Sequence, residues 1–246
     1  MRKKNRKRIL RKLLIFALLL GGLAVADWFG NREKPLTSGH TLAVSGSVVE
    51  TSPELIPDFS GEDWVVLNEN VPNFTEEDIS GIKGESFGEL DKLGRCQGAV
   101  AMLHRSMMPT EERGQIGHMK PSGWHTVKYP EVIEDRYLYN RCHLIAYAMT
   151  GQNDNPLNLI TGTRHLNAAT MLRFEKQVLR YLDDSDNHVL YRVTPYFKDE
   201  ELVARGVEME AYSVEDNGEG VCFHVFVYNY QPGITIDYKT GASELS

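Results

Sequence analysis

Four polar side chains occur in an order and at spacings that suit the hydrolysis of a phosphodiester. Arg141 and His143 are two positions apart, and Asn167 and Glu175 follow them eight positions apart. Such a reaction needs a base that activates water, positive charge at the phosphate and assistance for the leaving oxygen. One divalent metal ion can supply the second and the third of these. The four residues therefore predict a metal-assisted hydrolytic site.

Each of these side chains has a role that its chemistry allows. His143 is the predicted general base, because an imidazole with a pKa near about 6.5 is largely neutral at pH 7. The amide oxygen of Asn167 is a hard donor that suits Mg²⁺ as a direct ligand, and Mn²⁺ is the alternative ion. Glu175 is predicted to order the water molecules of that ion.

Three arginines are candidates for binding a phosphate oxygen, because a guanidinium stays charged at any ordinary pH. Arg141 is the main candidate, and Arg164 and Arg173 are lesser ones. Each site residue also has a simpler interpretation when taken alone. Asn167 would then be a helix cap and Glu175 a solvated charge on a helix. The catalytic interpretation depends on all of them occurring together.

The segment that carries Arg141 and His143 is predicted to be a β-strand. Residues 137–144 have the composition of a strand, and residues 123–129 alternate large and polar side chains before Pro130. We expect these two segments to form a hairpin. Side chains two positions apart share one face of a strand, so Arg141 and His143 should lie side by side at its end.

A helix is predicted after the strand and the polar loop at residues 151–158. Its apolar pattern begins at residue 165 or 166. Asn167 and Glu175 would project from nearly the same side of this helix, about 12 Å apart along its axis. An ion between Asn167 and the hairpin would then be within reach of Glu175 through water.

The remaining elements predict an α+β fold with a central antiparallel sheet. Residues 64–67 resemble a short strand, and Thr75 resembles a helix N-cap. Asp216-Asn217-Gly218 is typical of a hairpin turn. Four further segments alternate as strands do and would form the sheet behind the site: residues 188–196, 206–214, 221–230 and 234–238.

Residues 1–29 have the pattern of an export segment. Eight basic side chains precede an uncharged run at residues 13–26. As a helix this run reaches about 21 Å, short of a bilayer core of roughly 30 Å, and Ala24-Val25-Ala26 suits signal peptidase. A helix over residues 9–29 would instead span the membrane as an anchor. Both alternatives stay open, and both place the rest of the chain outside the cytoplasm, either secreted or on the outer face of the membrane.

Residues 30–62 are rich in Gly, Ser, Thr and Pro and predict a linker, which leaves residues 63–246 as the globular domain. The whole chain carries −7 and residues 1–26 carry +8, so the remainder carries −15. An acidic domain is not expected to bind nucleic acid through its overall charge. One disulfide or none is compatible with the three cysteines, which are Cys96, Cys142 and Cys222.

The same residues resemble the DNA/RNA non-specific endonuclease family, whose ββα-metal core carries an Asp-Arg-Gly-His sequence. Residues 140–143 read Asn-Arg-Cys-His and match it in the Arg and the His, and residues 155–158 resemble the Asn-Pro-x-Asn loop of the family. Asn167 and Glu175 fall where the metal-binding Asn and the helix Glu are found. The resemblance spans roughly residues 64–240. Within the family, the sequence particularly resembles the Gram-positive DNA-entry and streptodornase-like nucleases, which are membrane-anchored or exported.

The resemblance implies a Mg²⁺-dependent endonuclease that cleaves DNA, with RNA as an alternative substrate and no protein partner evident. Two residues depart from the family pattern. Asn140 replaces an Asp and removes a charge, whereas Cys142 replaces a Gly and should point away from the site. Two other functions remain open: a catalytically silent, membrane-tethered nucleic-acid-binding module, and a nuclease toxin exported against other cells.

Overall fold

Ten β-strands and three α-helices form the fold of residues 56–246, the part of the chain that this computed structural model describes. The predicted export segment at residues 1–29 and most of the predicted linker lie outside it. The helices are α1 (Glu76–Gly81), α2 (Tyr147–Thr150) and α3 (Met171–Asp184), and a π-helical turn at Leu166–Thr170 precedes α3. In chain order the strands are β1 (Trp64–Val66), β2 (Glu85–Phe87), β3 (Ala99–Leu103), β4 (Tyr139–His143), β5 (Leu159–Thr163), β6 (Val189–Tyr196), β7 (Gly206–Ser213), β8 (Cys222–Tyr228), β9 (Ile234–Ile236) and β10 (Ser243–Leu245).

Six strands form an antiparallel sheet in the order β1-β8-β7-β6-β3-β2. The α+β class and the central antiparallel sheet predicted from the sequence are therefore confirmed. The prediction that residues 234–238 belong to this sheet is wrong, because β9 pairs with β10 in a separate two-stranded sheet. Between β7 and β8, Asn217 has φ 56° and Gly218 has φ 83°. Asn and Gly tolerate this left-handed conformation better than other residues, which explains why the predicted turn forms here.

One face of the sheet packs against α3 to form the main hydrophobic core. On α3 the buried apolar residues recur at helical spacing, as an amphipathic helix requires. Full burial of one such side chain contributes about 1.5–3 kcal/mol, so this packing fixes the orientation of the helix. The apolar helix residues are Met171, Phe174, Val178 and Leu182, and their sheet partners include Tyr191, Val193, Val207, Met209, Phe223 and Val225.

The opposite face of the sheet carries a buried polar row. Arg192, Glu210 and His224 occupy paired positions on β6, β7 and β8. The Arg192 Nε donates to Glu210 Oε2 at 2.5 Å. The segment between β1 and β2 covers the row, and the backbone N–H of Asn73 donates to Glu210 Oε1 at 2.7 Å. Charged groups on this face are therefore paired rather than solvated.

Residues 56–62, the described end of the predicted linker, lie against β8. The ring of Phe59 is 5.2 Å from that of Tyr228 and 4.5 Å from that of Tyr230. The Tyr228 hydroxyl donates to the carbonyl of Pro57 at 2.7 Å. These contacts join the stretch to the domain. Within the described residues, no helix has the length and apolarity needed to cross a bilayer.

Strands β4 and β5 form a separate two-stranded hairpin that carries Arg141 and His143. His143 is the last residue of β4 and lies opposite Leu159, the first residue of β5. Only Arg164 and His165 separate β5 from the π-helical turn that leads into α3. Apart from the residues between β4 and β5, which include α2, the order is therefore strand, strand and helix, as a ββα core requires.

The predicted hairpin is wrong for the strand that carries Arg141 and His143, because β4 pairs with β5 and not with residues 123–129. Only the start of the predicted hairpin forms: residues 127–129 pair with residues 136–138 through one bridge and two backbone hydrogen bonds, and no strand results. The alternation at residues 123–129 has another cause. Trp124, Val127 and Tyr129 pack against a small hydrophobic cluster that includes Ile133, Leu138 and Ile234.

Candidate active site

A backbone carbonyl fixes the protonation of His143. The Nε2 of this buried imidazole lies 2.8 Å from the carbonyl oxygen of Asn153. A carbonyl can only accept a hydrogen bond, so Nε2 carries the proton and donates. Nδ1 then keeps its lone pair. This is the partner on the second ring nitrogen that a general base needs, and the sequence alone did not identify it.

The environment of His143 favours the neutral ring. Burial is the largest influence and lowers its pKa to about 4. The hydrogen bond with Asn153 raises the pKa, whereas the charge of Arg113 lowers it further. The imidazole is therefore neutral at pH 7 and able to accept a proton, and its pKa lies below the ordinary value assumed from the sequence.

Arg113 is a site residue that the sequence analysis missed. Its Nη2 lies 3.2 Å from His143 Nδ1, so the guanidinium faces the nitrogen that retains the lone pair. Arg113 belongs to an exposed loop without regular secondary structure, thirty positions before His143. No periodic pattern in the sequence relates this loop to the hairpin. A second basic group is thus present beside the predicted base.

The loop that supplies the Asn153 carbonyl is held by the side chain of Asn158. This residue is completely buried, and its Oδ1 accepts a hydrogen bond from the backbone N–H of Ile145 at 2.9 Å. Its Nδ2 donates to the carbonyl of Ile145 at 2.9 Å. Asn155 begins the same turn, with its Oδ1 accepting from the N–H of Leu157 at 3.0 Å. The Asn-Pro-Leu-Asn segment therefore positions the carbonyl that orients His143.

Arg141 lies on the same strand face as His143 but contacts residues 117–119, which belong to the same irregular segment as Arg113. Its Nε donates to the carbonyl of Met119 and its Nη2 to that of Gly117, both at 2.6 Å. Its guanidinium also lies 4.1 Å from the centre of a ring of Trp124. Arg141 therefore holds residues 117–119 over the strand. Its binding to phosphate stays a prediction.

Asn167 lies in the π-helical turn, which packs against β4, β5 and β8. Such turns insert one extra residue into a helix and often occur at functional sites. Asn167 is partly exposed, and its amide makes no hydrogen bond with any of residues 56–246. An amide oxygen in this position remains available for an external ligand.

Glu175 occupies a core-facing position of α3. Its side chain is buried between the apolar residues Phe174 and Val178, one turn after Met171. Burial raises the pKa of Glu175 to about 7. Within the described part of the chain its carboxyl group has no hydrogen-bond partner or ion pair. The simpler interpretation of Glu175 as a solvated surface charge is therefore wrong.

Cys142 connects strand β4, which carries Arg141 and His143, with helix α3, which carries Glu175. Like Cys96 and Cys222 it is a free thiol, and its Sγ is 3.4 Å from the Sδ of Met171 on α3. It points away from Arg141 and His143, as predicted. Burial and then the charge of Glu175 raise the pKa of this thiol, and the charge of Arg113 opposes them. The carboxyl of Glu175 and the guanidinium beside His143 are thus both within electrostatic reach of one side chain.

The other two predicted phosphate ligands lie elsewhere. Arg164 forms an ion pair with Asp135, and its backbone N–H donates to Leu138, next to the opposite end of β4 from His143. Arg173 lies 4.5 Å from the centre of a ring of Trp64 in β1. These contacts do not bring either arginine to His143. Their contribution to binding stays a prediction.

Asn167 and Glu175 offer the donors that a hard divalent ion prefers. Both present oxygen atoms that lack a partner within residues 56–246, on two turns of one helical segment. Neutral amide and carboxylate oxygens are the usual protein ligands of Mg²⁺, which retains several waters. Neither residue hydrogen-bonds to His143 in the described structure. The chemistry of these two donors therefore fits a hydrated divalent ion.

A second group of acidic and imidazole side chains lies on the opposite face of the sheet. Glu208, Glu210 and His224 bring their polar atoms within 4.8 Å of one another. Arg192 and the backbone of Asn73 occupy the two oxygens of Glu210, and Glu208 lies 2.5 Å from the His224 ring. Because these donors are already paired within the protein, the group is an ionic network rather than a metal centre.

Comparison with known proteins gives a consistent result. Residues 75–215 match the family described as DNA/RNA non-specific endonuclease. The structure of NucA from Streptococcus agalactiae without metal has a TM-score of 0.64 and 30% identity, over 74% of this chain and 86% of that one. NucA has also been solved with a magnesium ion bound. Sda1 nuclease, solved with a zinc ion, shares the fold at 24% identity and a TM-score of 0.57, over 67% of this chain and 83% of that one.

Proposed function

The chain belongs to the DNA/RNA non-specific endonuclease family, and from this premise we propose that it is a metal-dependent endonuclease acting on DNA, with RNA as an alternative substrate. The observation that carries the proposal is the state of His143. Its Nε2–H donates to the Asn153 carbonyl, and its Nδ1 lone pair is left for a proton from water. A buried imidazole held in this tautomer is suited to general-base catalysis.

In the proposed reaction, His143 Nδ1 accepts a proton from a water molecule as the water oxygen attacks phosphorus. The new P–O bond forms while the bond to the 3′-oxygen breaks, and the leaving oxygen takes up a proton from solvent. Arg113 faces Nδ1 in the absence of substrate. A phosphate oxygen is a stronger acceptor for its charged N–H groups than a neutral ring nitrogen, so substrate draws Arg113 onto the phosphate.

Asn167 is the proposed direct ligand of the metal ion, and Glu175 acts on it through water. An ion held there would supply positive charge at the phosphate and at the leaving oxygen. The magnesium-bound structure of NucA supports Mg²⁺ as the ion, and Mn²⁺ is the alternative. Arg141, already fixed over the strand, is the proposed second contact to the phosphate, with Arg164 and Arg173 as more distant ones.

We also propose that the enzyme acts outside the cytoplasm. The basic and apolar pattern of residues 1–29 supports export, either as a cleaved signal or as an anchor. Two further structures that share the fold, at 22% identity, are named as an extracellular endonuclease and an extracellular nuclease. DNA outside the cell is then the proposed substrate.

Plasmid cleavage by the purified full-length chain tests the proposal. We expect supercoiled DNA to be nicked and degraded in Mg²⁺ and to stay intact in EDTA. Asn167→Ala should slow cleavage at least about 10-fold, because it removes the proposed metal ligand. Asn187→Ala is the matched control. Asn187 follows α3 and donates to the Tyr181 hydroxyl, so its replacement should leave the cleavage rate unchanged.

The alternative function predicts a different result. If the wild-type chain cleaves neither DNA nor RNA in Mg²⁺ or Mn²⁺ yet still binds them, the catalytically silent tethered module replaces the enzyme. The acidic composition is the feature that favours this alternative, because it predicts modest binding. The unpartnered donors at Asn167 and Glu175 favour catalysis.

A further inference from the structure

The hydroxyl group of Tyr191 lies in the core beneath the candidate active site without a partner. Tyr191 is completely buried in β6, and its hydroxyl oxygen forms no hydrogen bond with any described residue. Leaving a buried hydroxyl unpaired costs about 1–3 kcal/mol. Buried tyrosines therefore nearly always find an acceptor for the O–H group. Such an acceptor should lie close to this position.

Glu175 is the group that can serve as this acceptor. Tyr191 is on the sheet face that packs against α3, and Glu175 is on the buried side of α3. The strand neighbours of Tyr191 are Ala101 and Ala211, whose small side chains leave the space above the sheet to the tyrosine ring. Burial and then the charge of Glu175 raise the pKa of the Tyr191 hydroxyl, so the two groups are within electrostatic reach.

Cys142 is the third polar group in this region and already has contacts of its own. Its thiol lies 3.4 Å from the Met171 sulfur and 3.8 Å from the carbonyl of His143. A thiol is also a weak acceptor. In the described structure, Tyr191 and Glu175 are thus two groups of complementary type, one donor and one acceptor, that both lack partners and are buried where α3 packs on the sheet.

We propose that Tyr191 is a positioning residue that holds the Glu175 carboxylate from beneath, donating its O–H directly after a small side-chain adjustment or through one buried water. This inference rests on the proposed function of Glu175. One carboxylate oxygen is held by the tyrosine, and the other is directed towards Asn167 and the water molecules of the ion. Residues that orient ligands in this way commonly contribute 10- to 100-fold to metal affinity.

The test is the affinity of the full-length chain for Mn²⁺ without DNA, measured from the free-ion signal in electron paramagnetic resonance. Tyr191→Phe removes a single oxygen and should weaken binding about 10-fold. Tyr181→Phe is the matched control: it removes a hydroxyl from α3 that is bonded to Asp216 and Asn187, and it should leave the affinity unchanged. Thermal unfolding of both variants in EDTA establishes that they are folded.

A double-mutant cycle separates positioning from general packing. Glu175→Leu replaces the carboxylate with an apolar side chain that completes the buried stripe of α3. In this background Tyr191→Phe should have no further effect on Mn²⁺ affinity, because the group it positions is gone. Equal weakening in both backgrounds overturns the inference, and so does an unchanged affinity in Tyr191→Phe alone.

The state of the hydroxyl also has a direct readout that does not need the Phe variant to fold. The ¹³C shift of the Tyr191 ring carbon that carries the hydroxyl should change between wild type and Glu175→Leu, and identical spectra overturn the inference. Asn167→Ala separates this result from the proposed function. If the wild type binds no Mn²⁺, or Asn167→Ala binds it equally well, the proposed metal site fails. If only Tyr191→Phe is without effect, the site stands and Tyr191 is a packing residue.

Discussion

At the scale of single residues, one backbone carbonyl determines which nitrogen of His143 can act as a base. The Asn153 oxygen accepts the Nε2 proton, and Nδ1 is left to face Arg113. The loop that carries this oxygen is anchored by Asn158, which makes two hydrogen bonds to the backbone of Ile145. The tautomer of His143 therefore depends on the position of this loop.

His143 should make the protein sensitive to mild acid. Its pKa is about 4 in the folded state and about 6.5 when unfolded, so the unfolded state binds the proton more readily. The stabilising effect of the neutral ring is present above about pH 6.5 and is lost as the pH falls towards 4, by about 3 kcal/mol. His143→Gln cannot titrate, and we expect its urea midpoint to fall less than that of wild type over this range.

Comparing the two proteins at each pH cancels the contribution of other titrating groups, such as Glu175. The control is Asn187→Ala, which removes a side chain that does not titrate. It should retain the wild-type acid dependence. Identical pH profiles for wild type and His143→Gln would mean that the ring is not held in the neutral state.

The sequence identified some of these residues and not others. His143, Asn167 and Glu175 belong to regular elements whose spacing relates one to another, so their types and positions were informative. The Asn153 carbonyl was not predictable, because every residue carries a backbone oxygen and none has a signature in the sequence. Arg113 lies in an irregular loop, and only the tertiary structure brings it to Nδ1.

At the scale of elements, the sheet has two faces with different tasks. The face towards α3 holds the helix that carries Glu175, and the opposite face holds the segment between β1 and β2 through the polar row. His224 is central to this row. Its Nδ1 lies 3.1 Å from the Val71 carbonyl and its Nε2 lies 2.5 Å from Glu208. Both nitrogens therefore face oxygen acceptors, an arrangement that favours the doubly protonated, charged ring.

His224 should stabilise the protein at neutral and mildly acidic pH. Burial opposes its charge, but the hydrogen bond with Glu208 and the charges of Glu210 and Glu208 outweigh burial and raise the pKa. The stabilisation is fully present below about pH 6.5 and is lost as the pH rises through the raised pKa. We expect the urea midpoint of wild type to decline on the alkaline side and that of His224→Gln to lack this decline.

The measurement is urea unfolding between about pH 6 and pH 9. His125→Gln is a suitable control, because this exposed histidine contacts only the Thr240 carbonyl through its ring in the described structure. Its alkaline profile should follow that of wild type. A decline of equal size in His224→Gln would refute the assignment of the charged ring.

Alternation predicted the long strands well, because β6, β7 and β8 each have one apolar face against α3. It failed for residues 123–129, where Trp124, Val127 and Tyr129 are spaced for packing on an irregular cluster rather than for strand pairing. The true partner, β5, has five buried residues that include Gly162. Such a short run, buried throughout, shows no alternation that would predict a strand.

At the scale of the whole molecule, the acidic charge limits how the enzyme can hold its substrate. The chain carries −7 overall, and residues 1–26 carry +8, so the remainder carries −15. Nucleic acid is bound by proteins largely through Lys and Arg that displace counterions from phosphates. Because acidic side chains outnumber basic ones in this part of the chain, binding should depend on the site itself rather than on the overall charge.

We expect metal-free binding of DNA to be weak and only slightly dependent on salt. Each phosphate that a Lys or Arg neutralises releases counterions and contributes about −0.9 to the slope of log affinity against log salt concentration. We expect a slope that corresponds to about two to four such phosphates. Fluorescence anisotropy with a labelled duplex in EDTA measures this slope without cleavage. A slope of about −6 or steeper would reveal a broad basic surface that the composition does not predict.

Restoring a base to the His143→Ala variant tests whether His143 activates water for phosphodiester hydrolysis. The variant should cleave plasmid DNA in Mg²⁺ at least about 100-fold more slowly than wild type. Added imidazole should restore part of the rate in proportion to its neutral fraction, whereas His188→Ala should be fully active without it. If His143→Ala cleaves at the wild-type rate and does not respond to imidazole, His143 is not the general base.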